Sequence, residues 1–274
     1  LLVVFSAGIP AVFSYFLPRF SLEEGKNIVT KLTLILFITG SIFSIFLYLF
    51  SSELGEFMGN PKLGTMLEIF SPIPMFLLPT LGVDGVFATY GKTHFIAVYE
   101  IITRLIMLLC IVLPVTLYEK GLEYAIYGWV VASIASFILA LFFKRIPFKK
   151  IQSKKANLSY QEIFHYSLPL VVASFWGIAI TTADNFYISK YFGVEVYAEF
   201  SNGFIEIPFV IMITSAISVV LLPVYSKMAH QKTDIKHFIV LWREVLRKSA
   251  AIIYPIVDLF LFYSEIIIIL LFSE

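Results

Sequence analysis

Long apolar runs separated by short polar stretches make up most of the chain. Eight of these runs are interpreted as membrane segments: residues 1–17, 32–50, 65–90, 95–117, 124–143, 166–191, 197–225 and 249–263. A helix needs about 20 apolar residues to cross a hydrocarbon core of about 30 Å. We therefore predict an all-α, polytopic membrane protein with about eight transmembrane helices.

The third run contains three prolines, at positions 72, 74 and 79. Proline removes a backbone donor and kinks a helix, and the carbonyl groups that it frees need partners when they lie at membrane depth. We expect a broken helix here, with its freed carbonyls bonded to neighbouring helices or facing a cavity.

The composition agrees with a membrane protein. Charged residues make up 14% of the chain and hydrophobic residues 59%, whereas a soluble domain carries about 25% charged residues. The net charge of +1 gives no indication of a nucleic-acid partner. One cysteine and four scattered histidines predict no metal site, and we find no phosphate-binding loop or nucleophile elbow. We predict a protein that is not an enzyme and binds no cofactor.

The positions of the cations predict the orientation. Residues 144–155 hold six cations and no acid, a pattern typical of a solvated loop. With alternating segments, 16 of the 19 cations in loops fall on the same side as this basic block, and Arg104 lies inside a segment. Cytoplasmic loops carry such an excess of Lys and Arg. We therefore predict a multi-pass protein of the cytoplasmic (inner) membrane, with residues 144–165 as a basic cytoplasmic linker.

Two segment ends resemble each other. Segment one ends at Pro18-Arg19, and segment seven ends with Pro223 followed by Lys227. One copy on each side of the basic block is what two related halves would give. The chain begins at Leu1 and ends at Glu274 beside apolar runs, and we expect an interior part of a longer protein.

Several stretches resemble the O-antigen and capsule flippases of the multidrug/oligosaccharidyl-lipid/polysaccharide exporter superfamily. These stretches are residues 8–19 (GIPAVFSYFLPR), 82–92 (GVDGVFATYGK), 166–170 (YSLPL) and 182–193 (TADNFYISKYFG), followed by Tyr197 and Pro223. The resemblance covers nearly the whole chain and depends mainly on Gly, Pro and Asp positions.

The resemblance implies a V-shaped transporter of two six-helix lobes, like the multidrug and toxin exporters. Residues 1–143 would form part of the N-terminal lobe (family helices two to six), and residues 166–274 part of the C-terminal lobe (helices seven to nine). It also implies the activity: moving an oligosaccharide linked to polyprenyl pyrophosphate, such as an O-antigen, lipopolysaccharide or capsule repeat unit, between leaflets by alternating access. Expected partners are the lipid-linked substrate, membrane lipids, a glycan polymerase and other polysaccharide assembly proteins.

Ionisable residues inside membrane segments are the candidate site residues, because each costs roughly 2.5 to 3.5 kcal/mol at a helix centre on insertion scales. Glu100 and Arg104 are four residues apart, so they share a face and can pair. Either the pair only stabilises its helix, or Arg104 faces a cavity and attracts a phosphate while Glu100 holds it in place.

The seventh segment carries Glu199, Asn202 and Glu206 on one helical face. We expect these residues to line a cavity, and the two carboxylates to bind a proton or a coupling cation. Asp184 in the sixth segment is either a substrate-facing residue or an interfacial acid that reaches outwards. Asp258 in the eighth segment is a further candidate for ion coupling, and Asp84 is expected to cap or pair near the end of the broken helix.

Three functions remain open at this stage. The flippase is favoured by the resemblance. A related antiporter for drugs and organic cations would suit the acidic residues equally well. The third is a membrane protein that transports nothing, either a scaffold or a membrane-embedded glycan polymerase. A polymerase should have a large polar outward loop, and every predicted outward loop is short.

We predict that replacing Glu199, Glu206 or Arg104 by Ala abolishes export of surface polysaccharide while the protein still inserts, because the cavity would lose a charged side chain that binds the substrate or the coupling ion. Export and membrane insertion are both measured in cells. Normal export by a variant with all three replacements would show that these residues form no transport cavity.

Overall fold

The computed structural model describes residue 6 and residues 8–57, 61–117, 122–203 and 208–272. Within these ranges the regular structure is helical, without a strand. Helix α1 is Ile9–Phe16, followed by a 3₁₀ turn at Leu17–Arg19. The all-α, membrane-spanning fold predicted from the sequence is confirmed.

Helix α2, Leu22–Leu49, begins at a capping box. Ser21 Oγ accepts a hydrogen bond from the Glu24 amide, and the Glu24 carboxylate accepts one from the Ser21 amide. This exchange satisfies two donors that a helix start leaves free. With 28 residues, α2 is about 42 Å long, which is more than the hydrocarbon core requires.

The third predicted segment is broken, as its prolines indicated. Its pieces are α4 (Pro61–Phe70), α5 (Ile73–Leu77), a 3₁₀ turn (Leu78–Thr80) and α6 (Val83–Thr89). The stretch before it, predicted as a loop at residues 51–64, instead forms α3 (Ser51–Phe57) and the start of α4. Helix α6 begins at Gly82, whose φ of 84° is left-handed. A Cβ at Gly82 would also lie 2.4 Å from the Phe13 ring, so only glycine fits this break.

Helices α7 (His94–Leu117) and α8 (Leu122–Arg145) pack closely against each other. A Cβ built on Gly128 of α8 would lie 2.0 Å from the Cys110 carbonyl oxygen of α7. Small residues allow this close approach in membrane helix pairs.

The second part of the chain forms α9 (Tyr160–Gly203), α10 (Pro208–His230) and α11 (Ile235–Phe272). Two of these helices contain a non-helical residue: Gly193 in α9, with φ 87°, and Tyr263 in α11. Helix α10 packs on α1, on the turn that follows α1 and on α6.

Five stretches of the described residues are long and apolar enough to cross a membrane: Leu22–Leu49, Lys62–Thr89, His94–Thr116, Glu123–Phe148 and Val210–His230. They overlap the second, third, fourth, fifth and seventh predicted segments. The second starts ten residues earlier than predicted, and the seventh starts thirteen residues later. The first predicted segment begins outside the described residues. The sixth and eighth lie within α9 and α11, and their crossing of the membrane stays a prediction.

The predicted linker packs along α2. Lys26 Nζ donates to the Ile151 carbonyl (2.7 Å), and the Ala156 amide donates to Asn27 Oδ1 (3.3 Å). Lys31 Nζ donates to the Leu158 carbonyl. Ala156 and Leu158 are buried in the same core as α2, so this stretch is held against the first helices.

Lys144 departs from the prediction of a solvated basic loop. It lies in the last turn of α8, its side chain is 3% exposed, and its ammonium group points into the helix bundle. It donates to the carbonyls of Pro79 (2.8 Å) and Leu81 (2.7 Å) and to Thr33 Oγ1 (3.3 Å). The broken helix leaves carbonyls without amide partners at this point, and Lys144 supplies three donors in their place.

We predict that Lys144→Met destabilises the protein by on the order of 3 kcal/mol, because it leaves these buried carbonyls unpaired. Thermal unfolding in detergent measures the effect. Arg145→Met is the matched control, since Arg145 is the neighbouring residue and is exposed. Equal unfolding temperatures for the two variants would contradict this role of Lys144.

Candidate functional site

A cavity of about 340 Å³ lies between helices from the two parts of the chain. One wall comes from α1, α7 and the α5–α6 break, and the facing wall comes from α10. The lining residues are Pro10, Ala11, Ser14, Thr80, Leu81, Gly82, Val83, Asp84, Gly85, Tyr99, Glu100, Ser218, Val219 and Leu222.

Two carboxylates line this cavity, Asp84 and Glu100. Asp84 lies in the first turn of α6, where the helix dipole stabilises a negative charge. It is near enough to Glu100 and Lys144 for both charges to act on it. The sequence suggested a capping or pairing role for Asp84, and the fold shows that it also faces the cavity.

Glu100 forms the ion pair predicted from the sequence. Arg104 Nε lies 3.3 Å from Glu100 Oε2, and the two side chains are 73% and 45% exposed respectively. Glu100 lines the cavity, and Arg104 is not among its lining residues. Attraction of a phosphate by Arg104 stays a prediction.

The other predicted site residues are not brought to this cavity by the described part of the chain. Asp184 on α9 and Asp258 on α11 are exposed and do not line it. The side chains of Glu199 and Asn202, and the whole of Glu206, lie outside the described residues. Their proposed roles stay predictions.

Arg19 joins α1 to the second part of the chain. Its Nε donates to Ser226 Oγ (3.2 Å), and Ser226 Oγ donates to the Tyr15 carbonyl. The guanidinium carbon lies 3.5 Å from the centroid of the Tyr15 ring. Tyr15 in turn stacks on Tyr166 at 3.9 Å, with an interplanar angle of 14°. We call Tyr15, Arg19, Tyr166 and Ser226 the Arg19 cluster.

The Arg19 cluster lies directly beyond one end of the cavity. On α10, Ser218 and Leu222 line the cavity, and Ser226 is the next residue on the same helical face. On the other wall, Ser14 lines the cavity and Tyr15 and Arg19 follow it along the chain. The cluster therefore borders the cavity at the end of the bundle that carries the basic block.

Sequence reasoning placed Arg19 only at a membrane edge. The signal that could have found this contact is the similarity between the ends of segments one and seven, since the fold packs those two ends against each other. An internal repeat predicts that two segments have similar sequences, and it does not predict that they touch. The contact between the two segment ends is therefore seen only in the structure.

A family model described as "Polysaccharide biosynthesis protein" matches residues 21–274. The chain belongs to the polysaccharide biosynthesis protein family. No match was found among curated proteins or solved structures. The match covers the α5–α6 break, Lys144 and the α10 wall of the cavity. The resemblance noted in the sequence is confirmed at this level: a membrane protein of a polysaccharide biosynthesis family.

We predict that Arg19→Ala opens the cavity of this polysaccharide biosynthesis protein at the basic end. The only cysteine is removed by Cys110→Ser, and a new thiol is placed in the cavity by Ser14→Cys, at a buried residue of the cavity lining. A membrane-impermeant maleimide added from the side of the basic block should then label Ser14→Cys faster when Arg19 is replaced.

Lys227→Ala is the control, because Lys227 neighbours Ser226 but is exposed. An unchanged labelling rate in the Arg19→Ala protein would show that the cluster does not close the cavity.

Proposed function

We propose that the protein is a flippase for an oligosaccharide linked to polyprenyl pyrophosphate. It would move an O-antigen, capsule or exopolysaccharide repeat unit from the inner to the outer leaflet of the cytoplasmic membrane. The observation that carries the proposal is the cavity between the two parts of the chain, bordered at one end by the Arg19 cluster. Membership of the polysaccharide biosynthesis family supports the cargo class.

The cavity walls suit a polar head group. Hydroxyls of Ser14, Tyr99 and Ser218 and the carboxylate of Glu100 can bond to sugar hydroxyls, which would otherwise cross the hydrocarbon without partners. The lipid tail would stay in the bilayer beside the protein. Arg104 and Arg19, near the cavity, would attract the pyrophosphate.

The cavity is small relative to an oligosaccharide repeat unit. Sites for drug-sized ligands are about 300 to 1,000 Å³, so about 340 Å³ holds at most part of a repeat unit. Passage therefore requires the two walls to separate, as in alternating access.

Opening the Arg19 cluster costs little. It breaks two hydrogen bonds and one stacked ring pair between α1 and the second part of the chain. Each such contact is worth on the order of 1 kcal/mol. The total of a few kcal/mol is within the range that differential substrate binding can offset.

The second candidate is an antiporter for drugs or organic cations. It is favoured by the two carboxylates, Asp84 and Glu100, because the described lining of the cavity contains no cation. In the flippase these carboxylates would serve proton or cation coupling, a role that we also assign to Glu199, Glu206 and Asp258. A scaffold that transports nothing is the remaining alternative.

We place the protein in a polysaccharide assembly system, beside a glycan polymerase and other assembly proteins. In this role it transports and does not catalyse, and it needs no cofactor. The basic linker at residues 144–165 would face the cytoplasm, with residues 1–143 and 166–274 as parts of two rocking lobes.

The test is transport in proteoliposomes. The protein is reconstituted with a fluorescent lipid-linked oligosaccharide, and an added glycosidase reports the fraction on the outer leaflet. Ser218→Trp should abolish flipping because it fills the cavity. Ser215→Trp should preserve it, since Ser215 is an exposed residue of α10 outside the cavity lining.

A parallel assay with an organic cation separates the candidates. Export of the cation without flipping of the lipid-linked sugar would refute the flippase and support the antiporter. If neither substrate is transported in vesicles where the protein is folded, the result would support the scaffold.

A further inference from the structure

A second concave surface lies away from the cavity, between α2 and α8. This groove has a volume of about 760 Å³. We call it the basic groove, and its lining residues are Lys26, Val29, Thr30, Thr33, Leu34, Phe37, Phe137, Leu141, Lys144, Arg145, Phe148, Lys149 and Lys150.

The charges of the basic groove gather at one end. Lys26 lies in the second turn of α2, and Arg145 is the last residue of α8. Since the two helices run in opposite directions, their charged ends meet, and Lys149 and Lys150 follow directly. None of the described residues that line the groove is acidic.

The cations at the rim are available to a ligand. Arg145, Lys149 and Lys150 are exposed, and in the described part of the chain none of them forms an ion pair. Lys26 donates one hydrogen bond to the Ile151 carbonyl, which leaves two of its three donors. Lys144 differs, because its ammonium is turned inwards onto carbonyls, and its stem forms part of the floor.

The far end of the groove is apolar. Leu34 and Phe37 continue the groove face of α2 at helical spacing, and Phe137 and Leu141 do so on α8. The Phe37 and Phe137 rings stack at 5.9 Å and close this end. Lys26 and Phe37 are eleven residues apart, which is about 16 Å along a helix. This matches one leaflet, half of a hydrocarbon core of about 30 Å.

We propose that the basic groove binds an anionic phospholipid, with the phosphate head group among Lys26, Arg145 and Lys149 and an acyl chain along Leu34 and Leu141. Basic pockets between transmembrane helices are suited to such head groups. A free phosphate would bind the cations at the rim and leave the apolar end of the groove uncovered. An apolar helix would cover the apolar end and bury the cations without partners. A phospholipid has an anionic group for the rim and an acyl chain for the apolar end.

The binding experiment uses the purified full chain in detergent, with phosphatidylglycerol added and bound lipid counted by native mass spectrometry. Arg145→Gln/Lys149→Gln should weaken binding by about tenfold or more, since each cation near a lipid surface contributes on the order of 1 kcal/mol. The control is Lys154→Gln/Lys155→Gln, which removes the same charge from exposed residues outside the groove. Equal loss in both variants would overturn the proposal, because binding would then follow net charge alone.

The apolar end of the groove is tested by Leu34→Asn. Leu34 is 53% exposed, so its replacement leaves the core intact. It should weaken binding of long-chain phosphatidylglycerol and leave binding of a short-chain form unchanged. Equal affinity of wild type for the two chain lengths would overturn the lipid proposal.

Two competitors separate the sources of phosphate. Displacement of phosphatidylglycerol by equimolar inorganic phosphate would overturn the proposal in favour of a simple anion site. If polyprenyl pyrophosphate displaces phosphatidylglycerol and excess phosphatidylglycerol cannot displace it in turn, the groove would be assigned to substrate entry. That result would also overturn the proposal. Since flipping is not the readout, the result is independent of the proposed transport function.

Discussion

The contact of Lys144 with the broken helix is the interaction on which the first part of the fold depends. Three prolines interrupt the α4–α6 segment at membrane depth, where water cannot satisfy freed carbonyls. The Lys144 ammonium reaches two of these carbonyls and Thr33 of α2, and it lies 4.8 Å from the Phe13 ring centroid of α1. One side chain thus ties α8 to α1, α2 and the break. The cost of burying the Lys144 charge is offset by these hydrogen-bond acceptors. Removing either the ammonium group or the acceptors therefore leaves a buried polar group unpaired.

The break in turn creates the cavity. Because the chain turns at Gly82 and restarts as α6, Asp84 is brought to the start of a helix that faces α10. Glu100 on α7 supplies the second carboxylate of the same wall. The Arg19 cluster then joins this wall to α10 at one end. The packing thus places two acids, Asp84 and Glu100, at the cavity, and four cations, Lys26, Arg145, Lys149 and Lys150, at the rim of the basic groove.

Much of the fold could be predicted from the sequence. Hydrophobic run length predicted the membrane-length helices, and the prolines predicted the break, because both effects act within one segment. Run length did not predict α3 or the polar start of α11, which lie outside the apolar runs. The pairing of Glu100 with Arg104 was predicted for the same reason, since residues four apart share a helical face. The cavity could not be predicted in this way. Its walls come from residues within 10–14, 80–85, 99–100 and 218–222, and no local pattern states that these segments meet.

The six cations of the basic block show which properties the sequence determines and which the tertiary structure determines. By itself, the sequence determined an all-α membrane protein and the clustering of charge at residues 144–155, because composition and spacing are local properties. Only the tertiary structure decided that Lys144 is a buried partner of the broken helix, that Arg145 and Lys149 border a groove, and that residues 151–158 run along α2. The reason is that the environment of a charged side chain is set by which distant carbonyls and apolar faces come within reach, and that depends on helix packing.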